Sequence, residues 1–525
     1  MLAVTSFVLL DWIALGSYLA VVVAIGVWAG RGRNGGDDFF LGGRRMPLWA
    51  VAISVLATAQ SAATFVGGPQ EAYDGNLTYL AANLGGLIGV VIVAVFFIPA
   101  YYRHQVTSVY ELIGHHFGGP AQRFASATFM VGRIFASGAR LFIVAIPFAL
   151  ITFGDLAPAS MIGSIVLIAA VATAYTITGG IRAVIWTDVL QAVVYLAAIV
   201  FALGLLWQKI PVGAGEVIEA LRTGGDGGTD KLTVLDGRLT SPRDLGRPYT
   251  IWAILIGLTL FNVAAFGADQ DLTQRMLTCR TARQGGWSAI VSNLIGWPVV
   301  LLFLCMGLLL YVFFERPDIM GAAAPGYRTD DSRKVFLEFI LHEMPAGLRG
   351  LMIAGLFAAA MSSLDSALNA MASTAIADFY RPWRRRRDGT KAVDPRRELR
   401  ASRLAVVVWA VCLASFAIAC VFWQQRSDDT LITFALGVMV FAYSGLLAVF
   451  LTALFTRRGN GRSVAAALGS GFLCVLLLQG FVWDRWAPKL GLDFSLAFPW
   501  KMLIGTAVSF AVCCLGRRPA APAGR

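Results

Sequence analysis

Long apolar runs alternate with short polar segments along almost the whole chain. Thirteen of these runs are close to the ~20 residues that an α-helix needs to cross the hydrocarbon core of a bilayer. Lipid offers the backbone no hydrogen-bond partners, so each run is predicted to be helical. The chain is therefore predicted to be an all-α, polytopic membrane protein. The predicted spans are 7–29, 46–68, 78–102, 122–151, 158–178, 183–207, 250–274, 286–314, 347–379, 402–423, 429–456, 463–484 and 496–516.

The basic residues between these spans predict the orientation of the chain. Cytoplasmic connections carry an excess of Lys and Arg. Most of the 43 basic residues fall on the cytoplasmic side when the N-terminus is outside and the C-terminus inside. The densest segment is 381–403, and Arg275 is expected in the inner connection after the seventh span. The predicted location is a bacterial-type inner (plasma) membrane, crossed many times.

Composition agrees with a membrane protein and excludes other classes. The 525 residues are 57% hydrophobic and 14% charged, with a mean hydropathy of +0.69, well above that of soluble domains. The net charge of +12 does not indicate a nucleic-acid partner, because the basic residues lie between apolar spans. The lipid bilayer and a small solute are the predicted partners, and no obligate protein partner is predicted. An enzyme is not predicted, because no nucleophile–base pair or metal-ligand spacing is found.

The ninth predicted span holds a band of polar residues in its middle. The members recur at steps of three and four residues, which places them on one helical face, and are Ser362, Asp365, Ser366, Asn369 and Ser373. Polar atoms inside a membrane face protein, water or a ligand. With an anionic Asp365 among hydroxyls, this face is predicted to line a path for a cation. The alternative is helix packing through small residues.

Two further spans contain polar residues together with helix breakers. The second contains Ser61 and Thr64 and is expected to end at residues 67–69 (Gly-Gly-Pro), which favour the end of a helix. The seventh contains Asn262 and is expected to break or end early at residues 267–271 (GADQD). Interrupted helices at the start of two similar halves indicate an inverted-repeat transporter.

The chain is predicted to be one transmembrane transporter domain, 1–525. An extra first helix, 7–29, precedes a repeat of five spans at 46–207. The second repeat of five spans covers 250–456, and two helices within 463–516 follow it. An odd number of spans in each repeat forces the second to be inverted in the membrane.

Two long outer connections separate some of these spans. The connection 209–247 is rich in Gly and Asp without sustained periodicity, so at most short helices are expected in it. The connection 315–344 contains the segment SRKVFLEFILHEM, which is predicted to form an amphipathic helix on the outer surface.

Charged residues within the fourth and sixth predicted spans need a partner or a function. Arg133 lies near the inner interface and is expected to snorkel or to pair. Arg140 lies ~10 Å deeper on the same helical face and must meet a carboxylate, carbonyls, water or an anionic ligand. Structural pairing and substrate binding are both open for it. Asp188 is within about one turn of the inner interface, where it either pairs with Arg182 or serves as a cytoplasmic way-station for a cation.

Four stretches together resemble the sodium:solute symporter family, which includes bacterial sodium/galactose, sodium/proline and sodium/sialic acid transporters. They follow the order and spacing of that family over nearly the whole chain. They are DDFFLGGRRMPLWAVAISVLATAQSAATFVG, GGIRAVIWTDVLQ, GADQDLTQR and AGLFAAAMSSLDSALNAMASTAIADFYRP. The resemblance implies a five-plus-five inverted-repeat fold preceded by one extra helix.

The resemblance also implies a sodium site between the second and ninth spans. Its oxygens would be the side chains of Ser362 and Ser363 and the backbone carbonyls of Ala57, Gln60 and Ala359. Na⁺ is a hard cation, and neutral hydroxyl and carbonyl dipoles bind it weakly enough to release it. Asp188, the aspartate of the WTD motif, would aid the passage of Na⁺ inward. Asp365 lies outside this motif, and a second cation and a structural bond are both open for it.

The solute-binding positions depart from those of the galactose relative. Asn262 matches an asparagine that contacts sugar there, but Ala265 stands in place of the aromatic inner gate. Thr64 stands in place of the sugar-binding glutamine, so a sugar site of that type is not expected. Arg140, on the third core helix, favours a carboxylate-bearing solute. The predicted solute-binding residues are Ser61, Thr64, Arg140 and Asn262.

The predicted function is uptake of a small organic solute by Na⁺ symport, through alternating access of one site to the two sides. Na⁺ would be the coupling ion. One alternative is a proton-coupled symporter of the same fold, with Asp365 or Asp188 carrying the proton. The other is a transporter-like membrane sensor.

Overall fold

The computed structural model describes residues 7–29, 36–224, 228, 230–327, 331–389, 394–423, 431–492 and 494–517. These residues are helical or irregular, apart from two isolated β-bridges. The main helices are α1 (Leu9–Ala29), α2 (Leu48–Ala59), α3 (Ala62–Asp74), α4 (Thr78–His104), α5 (Gly119–Phe153), α6 (Pro158–Ala174), α7 (Gly180–Lys209), α8 (Ile251–Ala268), α9 (Gln270–Met276), α10 (Ala282–Glu315), α11 (Val335–Glu343), α12 (Leu348–Asp388), α13 (Pro395–Trp423), α14 (Leu431–Phe455), α15 (Gly461–Leu477) and α16 (Phe498–Leu515). Short helices in the connections are Gly36–Leu41, Glu111–Phe117, Ala214–Thr223, Pro317–Met320 and Gly480–Trp486.

The apolar helices confirm a polytopic, all-helical membrane protein. Within the described ranges ten helices are long and apolar enough to cross a bilayer, and there are eleven if the pair α2–α3, bent by 58°, is counted as one span. α6 and α15 are apolar but shorter, and they lie at the predicted spans 158–178 and 463–484. The count of thirteen and the sides of the termini stay predictions. Five basic residues of the predicted inner segments lie outside the described residues, namely Arg31, Arg33, Lys391, Arg518 and Arg525.

The second predicted span is two helices, and their break comes earlier than expected. α2 ends immediately before Gln60, and the carbonyl of Ser61 accepts the N–H of Thr64 at 2.8 Å as α3 begins. The expected end at residues 67–69 is wrong, because these residues lie inside α3. A side chain added to the second of these glycines would meet Phe303 of α10, so glycine permits close helix packing there.

The seventh predicted span breaks where the sequence indicated. α8 is followed by Asp269, whose backbone is extended (φ −99°, ψ 124°), and then by α9. The carboxylate of Asp269 accepts the N–H of Asp271 at 2.8 Å and so caps α9. An acidic N-cap satisfies orphan N–H groups and suits the helix dipole. The predicted interruption within 267–271 is therefore confirmed.

In the connection 209–247 the helical segments among the described residues are short, as predicted. Lys231 fixes it to the bundle, because its ammonium group donates to the carbonyls of Tyr73 (2.7 Å) and Gly75 (3.1 Å). The same group lies 4.0 Å from the ring centroid of Tyr311. Burial lowers the pKa of Lys231 below its ordinary value, so these contacts compensate for lost hydration.

The connection 315–344 forms the expected amphipathic helix, α11, but not on the outer surface. Its apolar side chains are buried against the protein. Phe336 packs on Phe65 of α3 with ring centroids 5.7 Å apart, and Phe339 packs on Phe313 at 5.9 Å. The surface position is wrong because the bundle itself offers an apolar groove for this face.

α12 lies at the centre of the bundle. Every residue from 352 to 374 is buried, so the polar face predicted from residue spacing meets protein and not lipid. Small side chains allow neighbouring helices to approach it closely. Gly355, for example, packs directly against Tyr195 and Ala198 of α7.

A buried ion pair ties α1 to the start of α12. The carboxylate of Asp11 is fully buried and accepts from Arg349 Nε (3.1 Å) and Nη2 (2.9 Å). It also accepts the N–H groups of Gly347 (2.8 Å) and Gly350 (2.9 Å), which are free at the first turn of a helix. Asp11, the acidic residue within the first apolar run, therefore joins α1 to the first turn of α12.

Replacing Asp11 with asparagine is expected to lower the free energy of unfolding by about 3–5 kcal/mol, because it leaves the buried Arg349 without its counter-charge. The measurement is the midpoint of thermal unfolding of the purified protein. Glu219→Gln, which changes one exposed carboxylate in the helix Ala214–Thr223, is the matched control. Equal midpoints for the two variants would contradict a stabilising role for the Asp11–Arg349 pair.

Candidate functional site

The polar face of α12 contacts α2, α7 and α9 at one level of the bundle. Ser362 bonds to Asp188 of α7, and Ser363 faces the end of α2. Ser366 accepts a hydrogen bond from Arg275 of α9. All of these side chains are at most 3% exposed. Residues that the sequence assigned to sodium binding and to an ion path thus lie in one buried cluster.

Ser363 is the hydroxyl whose surroundings best fit a sodium ion. Its Oγ is 3.4 Å from the carbonyl oxygen of Ala359 and 3.5 Å from that of Thr58, at the long limit of hydrogen bonding. Oxygens that bind calcium, a cation of similar size, lie about 2.4 Å from it, so two such oxygens at a right angle are about 3.4 Å apart. The observed oxygen spacing therefore suits ligands that share one cation. Thr58 O was not among the predicted ligands.

The predicted carbonyl ligands of α2 lie on the segment that faces Ser363. Ala57 and Gln60 flank Thr58, and Gln60 closes the helix by donating its N–H to Leu56 O at 2.8 Å. The last carbonyls of a helix have no intrahelical partner. The break between α2 and α3 therefore presents backbone oxygens toward the hydroxyls of α12.

Ser362 is engaged differently from Ser363. Its Oγ donates to Asp188 Oδ1 at 2.6 Å, and Ser54 Oγ donates to Asp188 Oδ2 at 2.5 Å. A hydroxyl that donates its proton to a carboxylate keeps its lone pairs for another partner. Ser362 is thus oriented by Asp188 to present an acceptor oxygen.

Arg275 completes the cluster around Asp188. Its guanidinium group donates to Asp188 Oδ2 (3.2 Å), Ser54 Oγ (2.9 Å) and the carbonyl of Asp271 (2.7 Å). It also donates to Ser366 Oγ. The arginine is fully buried, so these bonds replace its hydration.

Sequence reasoning missed the role of Arg275. Its expected position in an inner connection is wrong, because α9 carries it into the bundle. The pairing of Asp188 with Arg182 is also wrong, because Arg275 occupies that place. The four-residue step from Asp271 to Arg275, directly after the predicted break, is a signal that could have placed both on one buried helical face.

Asp365 is fully buried next to this cluster. The hydroxyl of Ser366 lies 3.4 Å from its Oδ1. Its two suggested roles, a second cation ligand and a structural bond, stay predictions.

Arg133 pairs with the carboxylates at the break between α8 and α9. It forms a buried ion pair with Asp269, and its Nη1 is 3.0 Å from Asp271 Oδ2. Tyr443 of α14 donates its hydroxyl to Asp269 Oδ2 at 2.6 Å. Of the two alternatives for Arg133, the structure has pairing and not snorkelling.

Asp271 joins the two clusters into one chain of buried charges. Its Oδ1 is 3.4 Å from Arg275 Nη1, so charges alternate in the order Arg133, Asp271, Arg275 and Asp188. The charge of each residue is compensated by the opposite charges beside it. A displacement of one side chain therefore changes the electrostatic field at the next residue of the chain. The chain ends at the hydroxyl of Ser362.

A cavity of about 150 Å³ lies beside the end of α2. Its wall is mostly apolar with a few amides and hydroxyls, the composition expected of a small-molecule site. Its polar and aromatic members include Gln60, Tyr79, Asn83, Phe261, Asn262, Asn293 and Tyr443. Asn262 donates its amide N–H to Leu258 O at 2.8 Å and keeps its carbonyl oxygen as an acceptor.

Arg140 lines the same cavity and pairs with no carboxylate in the part of the chain that the structure describes. Its guanidinium group reaches Met439 Sδ at 3.5 Å, and its buried Nε has no hydrogen-bond partner there. A second, small cavity of about 10 Å³ brings Arg140 and Ser137 next to Ser363. Arg140 therefore lies between the larger cavity and the candidate sodium site, and no described carboxylate forms an ion pair with it.

The structure does not bring Ser61 and Thr64 to the wall of the larger cavity. Both are buried, one at the start of α3 and the other one turn further along it. The predicted solute-binding residues thus divide into two groups. Arg140 and Asn262 line the cavity, whereas Ser61 and Thr64 lie beyond the α2–α3 break.

Comparisons with known proteins find similar sequences and a similar fold. The model of the sodium:solute symporter family matches residues 39–474. A sodium/sialic acid symporter of Proteus mirabilis is 28% identical over 494 residues, which cover 94% of this chain and 92% of that one. Human sodium-coupled monocarboxylate transporter 1 is 29% identical over 475 residues, 89% and 72% of the two chains. A structure of a Na⁺-coupled sialic acid symporter in a substrate-bound, outward-open state has the same fold, with a TM-score of 0.78, 24% identity and coverage of 97% and 98%.

Proposed function

This chain belongs to the sodium:solute symporter family, and we propose that it takes up a small carboxylate-bearing solute together with Na⁺. Its function as a sodium-coupled symporter of a small organic solute follows from membership of that family. The carboxylate and the residues that bind each substrate are the proposal. We place the protein in the inner (plasma) membrane.

The observation that supports a carboxylate-bearing solute is that Arg140, in the wall of the cavity, forms no ion pair with a described carboxylate. A guanidinium group deep in a membrane protein is costly without an anionic partner. Every other charged residue of the cavity wall, Arg133 and Asp271, already has its partner among the described residues. A solute carboxylate would supply the missing bidentate bond, and Asn262 would bind another polar group of the same solute. Two of the relatives are named for acids, sialic acid and monocarboxylates, which supports this assignment.

Na⁺ would bind between α2 and α12. Ser363 and the carbonyls of Ala57, Gln60 and Ala359 would hold it, and Ser362 would add its free lone pair. Such binding ties the end of α2 to α12 and favours the state in which these helices are close, so the ion shifts the population of states. Asp188, one bond behind Ser362, would receive the ion on its way inward. Asp365 would serve the same path.

The topology of the family extends to this chain under the same proposal. The first half, within 46–207, would consist of α2 through α7. The second half, within 250–456, would consist of α8 through α14 and would be inverted relative to the first. Counting α2–α3 as one span and including α6 and α15 gives thirteen. The N-terminus would then lie outside and the C-terminus inside. The broken helices α2–α3 and α8–α9 would occupy equivalent places in the two halves, beside the cavity.

The test is uptake into vesicles that contain the purified protein. Labelled lactate, pyruvate and sialic acid are offered under an inward Na⁺ gradient, and then under an inward proton gradient with Na⁺ absent. We expect accumulation of at least one acid in the first condition only. Accumulation driven by protons alone would refute sodium coupling and point to Asp365 or Asp188 as a proton carrier. Sodium-driven uptake of uncharged solutes only would refute the carboxylate and leave the sodium coupling intact.

A further inference from the structure

A third cavity, larger than the two near Arg140, lies at the opposite end of the bundle from Asp11. Its volume is about 880 Å³, and three helices form its walls. These are the start of α5, the end of α12 and the start of α13. The cavity shares no lining residue with the cavity of Arg140.

Two arginines of this cavity have no carboxylate partner among the described residues. Arg123 of α5 and Arg386 of α12 both line the cavity and are exposed. Neighbouring arginines are paired, since Arg381 bonds to Glu398 at 2.7 Å and Arg384 bonds to Asp388 at 2.9 Å. Arg123 and Arg386 are therefore both available to a ligand in the cavity.

The wall on α13 is apolar and continues onto an outward-facing surface. Leu404 and Val408 line the cavity and are 65% and 49% exposed. Val411, one turn further along α13, is 61% exposed and extends the same apolar stripe. In a predicted membrane span these side chains face lipid tails. Trp383, half-exposed on the opposite wall, is a residue typical of the level of lipid headgroups.

Asp378 lies at the floor of the cavity, and its side chain is already hydrogen-bonded to the protein. The carboxylate of Asp378 is buried and accepts from Ser126 (2.5 Å), Gln122 (2.7 Å) and Ser108 (2.8 Å). These bonds join α5 to the end of α12. A ligand in the cavity would therefore meet the two arginines and the apolar wall, because Asp378 is already engaged.

We propose that this cavity binds an anionic phospholipid. The headgroup phosphate contacts Arg123 and Arg386, and the acyl chains lie along Leu404 and Val408. The combination of two unpaired guanidinium groups with a continuous apolar wall selects a lipid and not a soluble anion, because a soluble anion gains nothing from the wall. The lipid fills the space between α5, α12 and α13, beside the Asp378 bonds that hold these helices.

The test measures lipid bound to the intact protein by native mass spectrometry. The detergent-purified protein is titrated with phosphatidylglycerol, with phosphatidylcholine of the same acyl chains, and with inorganic phosphate. We expect a clear preference for phosphatidylglycerol. The double substitution Arg123→Gln with Arg386→Gln should weaken phosphatidylglycerol binding about 10- to 30-fold, since each basic residue near an anionic lipid contributes to binding.

The matched control is Arg283→Gln with Arg385→Gln, which removes two exposed arginines that do not line the cavity. It should bind phosphatidylglycerol as the unmodified protein does. Equal loss in the two double variants would overturn the site, because binding would then depend on net charge alone. Equal affinity for the two lipids, or saturation by inorganic phosphate that displaces the lipid, would overturn the anionic phospholipid as occupant. None of these outcomes depends on sodium or on the transported solute.

Discussion

Replacing Ser363 with alanine is expected to remove the stabilisation of this protein by sodium. Ligand that binds only the folded state raises stability by about 2.7 kcal/mol at 100 times its Kd. The thermal midpoint of the unmodified protein should therefore be higher in NaCl than in matched choline chloride. Losing a hydroxyl that contacts a cation should weaken Na⁺ binding about 10- to 100-fold, and the difference between the two salts should disappear at moderate NaCl.

The control for this experiment is Ser373→Ala on the same helix. Ser373 is also buried and also bonds to a backbone carbonyl, that of Ala370, at 2.9 Å. It lies ~15 Å from Ser363 along α12. Its replacement should change stability equally in both salts and preserve the sodium increment. If the midpoint of Ser363→Ala is still higher in NaCl than in choline chloride by the same amount, this hydroxyl is not a sodium ligand. Equal midpoints for the unmodified protein in the two salts would contradict a sodium site altogether.

Replacing Arg140 with glutamine is expected to reduce uptake of the carboxylate solute at least about 30-fold, because removing one partner of a buried charge pair typically costs about 2–5 kcal/mol. Glutamine preserves much of the volume and the capacity to donate hydrogen bonds, so the loss would report the charge. Arg140→Lys keeps the charge but not the bidentate geometry, so its uptake rate should lie between those of Arg140→Gln and the unmodified protein. The measurement is initial uptake in vesicles under a fixed Na⁺ gradient.

Two readouts separate a binding role of Arg140 from a structural one. Thermal stabilisation by NaCl should persist in Arg140→Gln, which shows that the fold and the sodium site are intact. The uncharged amide of the same solute should be handled equally by the variant and the unmodified protein. Undiminished uptake of the carboxylate by Arg140→Gln would contradict the assignment of the solute to this arginine.

Features that depend on residue spacing within one or two helical turns were predictable from the sequence, because local helix geometry determines them. The three- and four-residue spacing on α12 places its polar residues on one face, and that face is buried. The break after α8 follows from Gly267 and the acidic residues after it, which favour a cap over a helix interior. Both signals act within one or two turns of helix, so they do not depend on distant parts of the chain.

Features that depend on contacts distant in sequence were not predictable. Hydropathy assigns Arg275 to the nearest connection, since only the fold reveals Asp188 as a partner 87 residues away. The break at Gln60 was placed several residues too late, because packing against α10 tolerates the glycines of α3. α11 was placed on the surface since its amphipathic pattern does not distinguish a membrane from a protein groove as the apolar partner.

The alternating ion pairs from Arg133 to Asp188 also determine how the protein responds to membrane voltage. Each unit of charge that crosses the membrane does electrical work of about 2.3 kcal/mol per 100 mV. Because arginines and aspartates within this chain are bonded to one another, they move as nearly neutral units when the helices rearrange. When a nearly neutral unit moves, little net charge crosses the membrane field, so little electrical work is done. The paired arginines and aspartates should accordingly contribute little to the voltage dependence of the transport cycle, which should arise from the sodium ion, the solute and charges outside this chain of ion pairs such as that of Arg140.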